Sequence, residues 1–162
     1  MLFQYDLDRF SYFQPISGAL FDSNGSWIDR NVLLNFDCKA VTISTSNLSS
    51  EDFNLFLKKW MAGNDNKLQY LNVRGSIRNW TEGFKELDMD LITKDLTTIP
   101  GVPKRQEAMR YECYGFRVPY HLGKDLRRAD GVLGTVVVYQ NRWKTCSFLF
   151  EVWKDSNPNL ES

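Results

Sequence analysis

Cysteine, histidine and acidic side chains are the residues of this sequence best suited to nucleophilic chemistry: Cys38, Cys113, Cys146, His121, Asp125 and Asp130. A catalytic cysteine needs a base within hydrogen-bonding reach and a third group that orients the base. Cys113 or Cys146 with His121 and one acid could form such a triad. None of them lies in a recognisable nucleophile motif, and a cysteine in an alternating strand usually packs in the core. We therefore predict no enzymatic activity and keep a cysteine-dependent enzyme as an alternative.

Ligand sets for metals and cofactors are incomplete in this sequence. Asp88-Met89-Asp90 lacks the further oxygen ligands that a calcium loop requires. Glu51-Asp52 is explained by the start of a helix, where acids favour the positive end of the dipole. The cysteines lack the short paired spacing of a zinc site, and no glycine-rich phosphate loop occurs. The prediction is no metal and no cofactor.

Charge and hydropathy narrow the classes of partner. The 162 residues carry 20 Lys and Arg against 20 Asp and Glu. A nucleic-acid binder usually shows a basic excess, so we predict no nucleic acid. No apolar run approaches the roughly 18 to 20 residues of a membrane span, so we predict no membrane association. An odd set of widely spaced cysteines indicates free thiols and an intracellular, cytoplasmic or nuclear protein.

Aromatic residues near turns are the best candidates for binding. Two of the five tryptophans, Trp60 and Trp153, fit a helix face and a strand. The other three lie beside turn residues, and one of them follows an arginine. Tryptophan and arginine are favoured anchors of protein interfaces. An alternative for each is that it packs its loop onto the core. The predicted binding residues are Trp27, Trp80, Arg142 and Trp143.

A strand, a helix and a second strand form the clearest run of elements. The β-branched segment 40–44 predicts a strand. Ser49 can cap a helix whose apolar face is Phe53, Phe56, Leu57, Trp60 and Met61, and Gly63 can end it. Residues 68–73 predict another strand. If the strands are neighbours, they are parallel, and the unit is similar to a leucine-rich repeat.

The last third of the sequence predicts antiparallel strands. Segments 111–118, 132–139 and 146–153 have strand patterns, and Asp130-Gly131 predicts a hairpin. Residues 81–87 predict a short helix and 97–103 a turn. The fold class is therefore α+β, a leucine-rich-repeat-like β-α-β unit followed by an antiparallel sheet of three or four strands. We expect an N-terminal extension over 1–30, a domain over 31–154 and a frayed tail over 155–162.

Two groups of residues resemble the nematode F-box-associated domain, type 2. The first is the run from Val41 to Leu71, which contains Asn54, Phe56-Leu57-Lys58 and Trp60 at the family's spacing. The second comprises Arg128 with Asp130-Gly131, Thr135-Val136, and Phe148 to Trp153. Gly134 stands where the family pattern more often has alanine, and we expect that difference to be conservative. The resemblance covers about residues 30–154.

The resemblance implies a protein-binding domain that captures a substrate for a cullin-type ubiquitin ligase. In that family an F-box precedes the domain and docks on the ligase adaptor. Residues 1–30 do not show the pattern of its helical bundle, so we expect adaptor binding only through an F-box outside this chain. The expected partner is an unknown protein substrate. A small-molecule or sugar-binding module with an aromatic pocket remains a second alternative.

Overall fold

One mixed β-sheet organises the chain. The computed structural model describes residues 19–22, 25–63, 67–75, 86–100, 123–140 and 146–153. The strands, in chain order, are β1 (Ala19–Asp22), β2 (Ala40–Ser46), β3 (Tyr70–Gly75), β4 (Thr98–Pro100), β5 (Gly123–Arg127), β6 (Leu133–Gln140) and β7 (Cys146–Trp153). The helices are α1 (Arg30–Leu34), α2 (Ser50–Met61) and α3 (Met89–Ile92). The strand order across the sheet is β1-β2-β3-β7-β6-β5-β4.

The predicted β-α-β unit is the parallel half of this sheet. β2 and β3 pair in parallel, with Ile43 opposite Val73, and α2 connects them. β1 adds a third parallel strand beside β2. β3 then pairs antiparallel with β7. Across the sheet, β7 is followed by β6, β5 and β4, and each of these neighbours is paired antiparallel. The α+β class is confirmed, with both halves in one sheet.

Some details of the predicted fold stay predictions. Segment 111–118 lies outside the described residues, so the number of antiparallel strands stays open. The likeness to a leucine-rich repeat also stays a prediction. The domain limits also stay predictions. β1 falls within the expected extension 1–30, yet it pairs with β2. The expected tail 155–162 lies outside the described residues.

One segment differs from the sequence expectations, and a second lies mostly outside the described residues. Residues 98–100 form edge strand β4 instead of a turn, paired with β5 through Thr98 and Leu126. Pro100 is compatible with this position because an edge strand leaves amide positions unused. Most of the helix expected over 81–87 lies outside the described residues. The helix that follows, α3, is capped by Asp88, whose carboxylate accepts hydrogen bonds from the amides of Asp90 and Leu91.

Both ends of α2 follow the sequence prediction. The Ser49 hydroxyl accepts a hydrogen bond from the Asp52 amide (3.3 Å), and the Asp52 carboxylate accepts one from the Ser49 amide (2.9 Å). This reciprocal arrangement satisfies amides that the first helical turn leaves free. Gly63 follows the last turn with φ of 77°, a left-handed conformation that favours glycine.

The apolar face of α2 packs on the sheet. Phe53 stacks on Phe148 with ring centroids 4.0 Å apart, and Phe56 and Trp60 meet Phe150 edge-on. The core around them is formed by alternate residues of the strands: Val41, Ile43, Leu71, Val73, Leu126, Val136, Phe148 and Phe150. Because alternate residues point to opposite faces, their neighbours define a second face. That face is also buried at Asn72, Asp125, Thr135 and Leu149.

Candidate binding site

Trp27 is the one predicted binding residue within the described part of the chain. It ends a short 3-10 helix, Gly25–Trp27, and its half-buried side chain packs against the core. Gly25 allows this turn to lie close to β2. A Cβ at this position would overlap Ile43 and lie 2.9 Å from the Ser44 carbonyl oxygen. This packing fits the alternative that Trp27 fastens its segment to the core, while its role in binding stays a prediction. Trp80, Arg142 and Trp143 lie outside the described residues.

The structure describes three candidates for the hypothetical cysteine triad, Cys146, Asp125 and Asp130, and places each in a different environment. Cys146 is a buried free thiol in β7. Asp125 is fully buried and accepts a hydrogen bond from Thr135, while Asp130 pairs with Arg128. Cys113 and His121 lie outside the described residues. Over the segments that the structure describes, no group of three or more metal-ligating side chains occurs.

The two groups of residues that carry the family resemblance meet at Trp60. The guanidinium of Arg128 lies over the Trp60 ring, 5.1 Å from its centre, and its side chain is 8% exposed. Arg128 donates through Nε and Nη2 to the Asp130 carboxylate. The hydrogen bonds from Arg128 lower the pKa of Asp130. The carboxylate also accepts the Val132 amide, so one cluster shapes the β5–β6 turn and fixes it to α2.

Gly134 makes a second contact between the same two groups of residues. A Cβ at this position would lie 2.8 Å from Cε2 of Phe150 and 2.9 Å from Cη2 of Trp60. Both rings are buried in the core, where there is little room to move. The expectation that glycine and alanine are interchangeable here is therefore wrong for this packing. Glycine leaves the space that the Trp60 and Phe150 rings occupy.

A polar chain lies on the second face of the sheet. Trp153 Nε1 donates to Thr135 Oγ1 (2.9 Å), and Thr135 Oγ1 donates to Asp125 Oδ1 (2.5 Å). Asp125 and Thr135 are fully buried, whereas Trp153 is half-buried. A hydroxyl can accept one hydrogen bond and donate another, so Thr135 links the indole to the carboxylate. These two hydrogen bonds fix the orientation of the Trp153 ring.

Glu151 lies in the middle of the same polar region. It is opposite Thr135 on β6 and opposite Tyr70 on β3. Burial raises the pKa of Glu151 from 4.5 to about 7. Carboxyl groups with shifted pKa values are enriched at functional sites, so Glu151 is a candidate for binding. Sequence reasoning missed this group, although the single acid within the aromatic strand CSFLFEVW marks its position.

Comparison with known proteins confirms the predicted family resemblance. Residues 6–73 match the family model described as F-box associated. The match covers β1, the 3-10 helix with Trp27, helix α1, strand β2, helix α2 and most of β3. The structure thus defines an α+β domain, and the matched part of it carries the F-box-associated pattern.

Two relatives come from Caenorhabditis elegans. One, described as uncharacterized (F59B2.9), is 27% identical over 141 residues, which cover 86% of this chain and 31% of that protein. The other, described as the E3 ubiquitin-protein ligase hecw-1, is 33% identical over 87 residues, which cover 52% of this chain and 7% of that protein. The chain therefore spans less than a third of either relative. No solved structure matches it.

Proposed function

We propose that this chain is an intracellular protein-binding domain that recruits a protein substrate for ubiquitination. The match of residues 6–73 to the F-box-associated family supports this proposal most directly. The relative described as an E3 ubiquitin-protein ligase supports the connection to ubiquitin, although the similar segment is 7% of that protein. Coupling to a cullin-type ligase would occur through an F-box joined to this domain.

The proposed contact residues are Trp27, in the segment before the proposed domain over 31–154, and Trp80, Arg142 and Trp143 within that domain. In the sequence each lies beside turn-forming residues, and we expect aromatic and arginine side chains in such segments to serve as interface anchors. Large aromatic anchors lose little side-chain entropy on binding, so a few of them can dominate the affinity. The proposed mechanism is binding without turnover.

Across the described residues, no helix has the length and apolar character needed to cross a membrane.

Affinity capture from nematode extract tests the proposal. The wild-type domain is compared with Trp27→Ala, with a Trp80→Ala, Arg142→Ala and Trp143→Ala triple variant, and with Leu55→Ala. Leu55 is a matched control because it is an apolar side chain 37% exposed on α2. Captured proteins are quantified by mass spectrometry, and circular dichroism checks that each variant is folded.

The expected result is a defined set of partners retained by wild type and Leu55→Ala and reduced about tenfold or more by the triple variant, as loss of interface anchors predicts. The retained partners should gain ubiquitin when the domain is fused to an F-box. Failure of wild type to enrich any protein above an unrelated domain would refute the proposal. Equal capture by every variant would refute the assignment of the contact residues.

A further inference from the structure

We propose that Glu151, Tyr70 and Trp153 form a site that binds an arginine side chain of the partner protein. This inference rests on the proposed protein-binding role, because the arginine belongs to the bound protein. The site lies on the face of the sheet opposite α2. It is therefore separate from the Trp60 and Arg128 cluster, which lies on the helical face.

The strand register places the three side chains on one face. Tyr70 on β3 is directly opposite Glu151 on β7. Directly opposite residues of antiparallel strands have Cβ atoms about 4.5–5.5 Å apart, with side chains on the same side. Trp153 lies two positions after Glu151 on β7, so its side chain is on the same face of the sheet as that of Glu151. Glu151 thus has an aromatic residue across the strand pair and another along its own strand.

The Trp153 ring is held in place before any partner binds. Its Nε1 donates to Thr135, the residue opposite Glu151 on β6, so the indole is directed towards the strand next to the carboxylate. Thr135 in turn donates to the fully buried Asp125. A ring that is already oriented loses little entropy on binding, which favours affinity. The polar chain therefore acts as a support for one wall of the site.

The carboxylate has no partner of its own among the residues that the structure describes. The ion pairs there join other acids to their cations, and none includes Glu151. Two arginines share its face of the sheet. Arg127 lies two strands away on β5, and Arg74 lies four positions along β3 from Tyr70. Neither forms an ion pair with Glu151, so no cation within the described segments neutralises the carboxylate.

The stability of the fold does not explain this arrangement. An ionised carboxylate in a half-buried position loses hydration, and burial raises the pKa of Glu151 accordingly. A bound guanidinium would restore the lost interaction and could stack on an aromatic ring at the same time. Arginine suits this combination better than lysine, because its planar group forms paired hydrogen bonds and stacks.

A peptide titration of the full chain tests the site. The probe is acetyl-Gly-Arg-Gly-amide, and its neutral counterpart carries citrulline in place of arginine. Binding is followed at pH 8 by the NMR signal of the Trp153 indole N–H, identified by its loss in Trp153→Phe. Glu151→Gln removes the charge and keeps the shape. Glu86→Gln is the control because Glu86 is an exposed acid in a different part of the chain.

The expected result is a saturable shift of the Trp153 signal with the arginine peptide. Binding should weaken about tenfold or more with citrulline and with Glu151→Gln, because a charge-assisted hydrogen bond is lost. Glu86→Gln should bind as wild type does. Equal binding of both peptides, or unchanged binding to Glu151→Gln, would overturn the inference. Capture of partners in the previous assay would then leave the protein-binding proposal standing, so the two failures are distinguishable.

Discussion

Arg128 and Trp60 connect two parts of the sequence that are far apart along the chain. The guanidinium carbon lies 5.1 Å from the centre of the indole ring, and Asp130 holds the guanidinium in that position. Trp60 is in α2, and Arg128 follows β5. The contact therefore fastens the helix to the β5–β6 turn, and it joins residue Trp60 of the matched segment 6–73 to a part of the chain outside that match.

Replacing Arg128 with lysine should destabilise the protein. Lysine cannot donate in the paired geometry of a guanidinium and stacks less well on an indole. The loss of the stacked contact should lower the free energy of unfolding by about 1–2 kcal/mol. Urea unfolding followed by tryptophan fluorescence and circular dichroism measures it. Arg127→Lys is the matched control, with an expected change within about 0.5 kcal/mol because Arg127 is exposed. Equal effects of the two variants would contradict this role of Arg128.

Gly134→Ala should also be destabilising. The added methyl group would sit 2.8 Å from Phe150 and 2.9 Å from Trp60, so the buried rings must shift. Overpacking of this kind costs about 1–3 kcal/mol in the free energy of unfolding. Phe150→Leu combined with Gly134→Ala should cost less than the sum of the two single changes, because leucine vacates part of the space. Strict additivity in thermal or urea unfolding would show that the methyl group does not meet this ring.

The elements that follow from local patterns were predictable. The capping residues of α2, its apolar face and Gly63 all lie within a few positions of one another, and the structure confirms them. β2 and β7 likewise follow from runs of β-branched and aromatic residues. The parallel pairing of β2 and β3 follows from the helix that separates them, since a helical crossover returns the chain in the same direction.

Features that depend on distant residues were not predictable. The sequence contains no sign that β3 pairs with β7, so the union of the two halves in one sheet was missed. β4 has three residues and a proline, and it forms a strand because β5 lies beside it. The expectation for Gly134 failed because the neighbouring Trp60 ring comes from another element. The region around Glu151 was missed for the same reason, since the register of three strands creates it.

Ser49→Ala should weaken the start of α2. Burial alone would raise the pKa of Asp52, but hydrogen bonds from Ser49 and Arg30 outweigh it and lower the pKa. A lowered carboxyl pKa gives stability at neutral pH that is lost as the pH falls through the pKa of the folded state. The variant should lose about 1 kcal/mol at pH 7, and its difference from wild type should shrink in acid.

Urea unfolding between pH 7 and pH 3 measures the effect of Ser49→Ala. Asn47→Ala is a suitable control, because Asn47 is an exposed residue of the same connection. It should follow the wild-type pH dependence within about 0.5 kcal/mol. A Ser49→Ala variant with the wild-type stability at neutral pH would contradict the importance of the capping interaction.

Glu151 should give the opposite dependence on pH. Its pKa in the folded protein is about 7, above the usual 4.5, so the folded state binds more protons than the unfolded state between these values. Stability from this group is present below about pH 4.5 and is lost as the pH rises towards 7.

Glu151→Gln should remove this loss and make the protein more stable than wild type at pH 8, by about 1–3 kcal/mol. Urea unfolding at pH 5 and pH 8 measures the difference, and Glu86→Gln serves as the exposed control. The gain in stability should accompany the loss of arginine-peptide binding, because the same unpaired charge that disfavours folding attracts the cation. A Glu151→Gln protein that is no more stable at pH 8 than wild type would mean that the carboxylate is already neutralised within the folded chain, and the site would then have no charge to offer a partner.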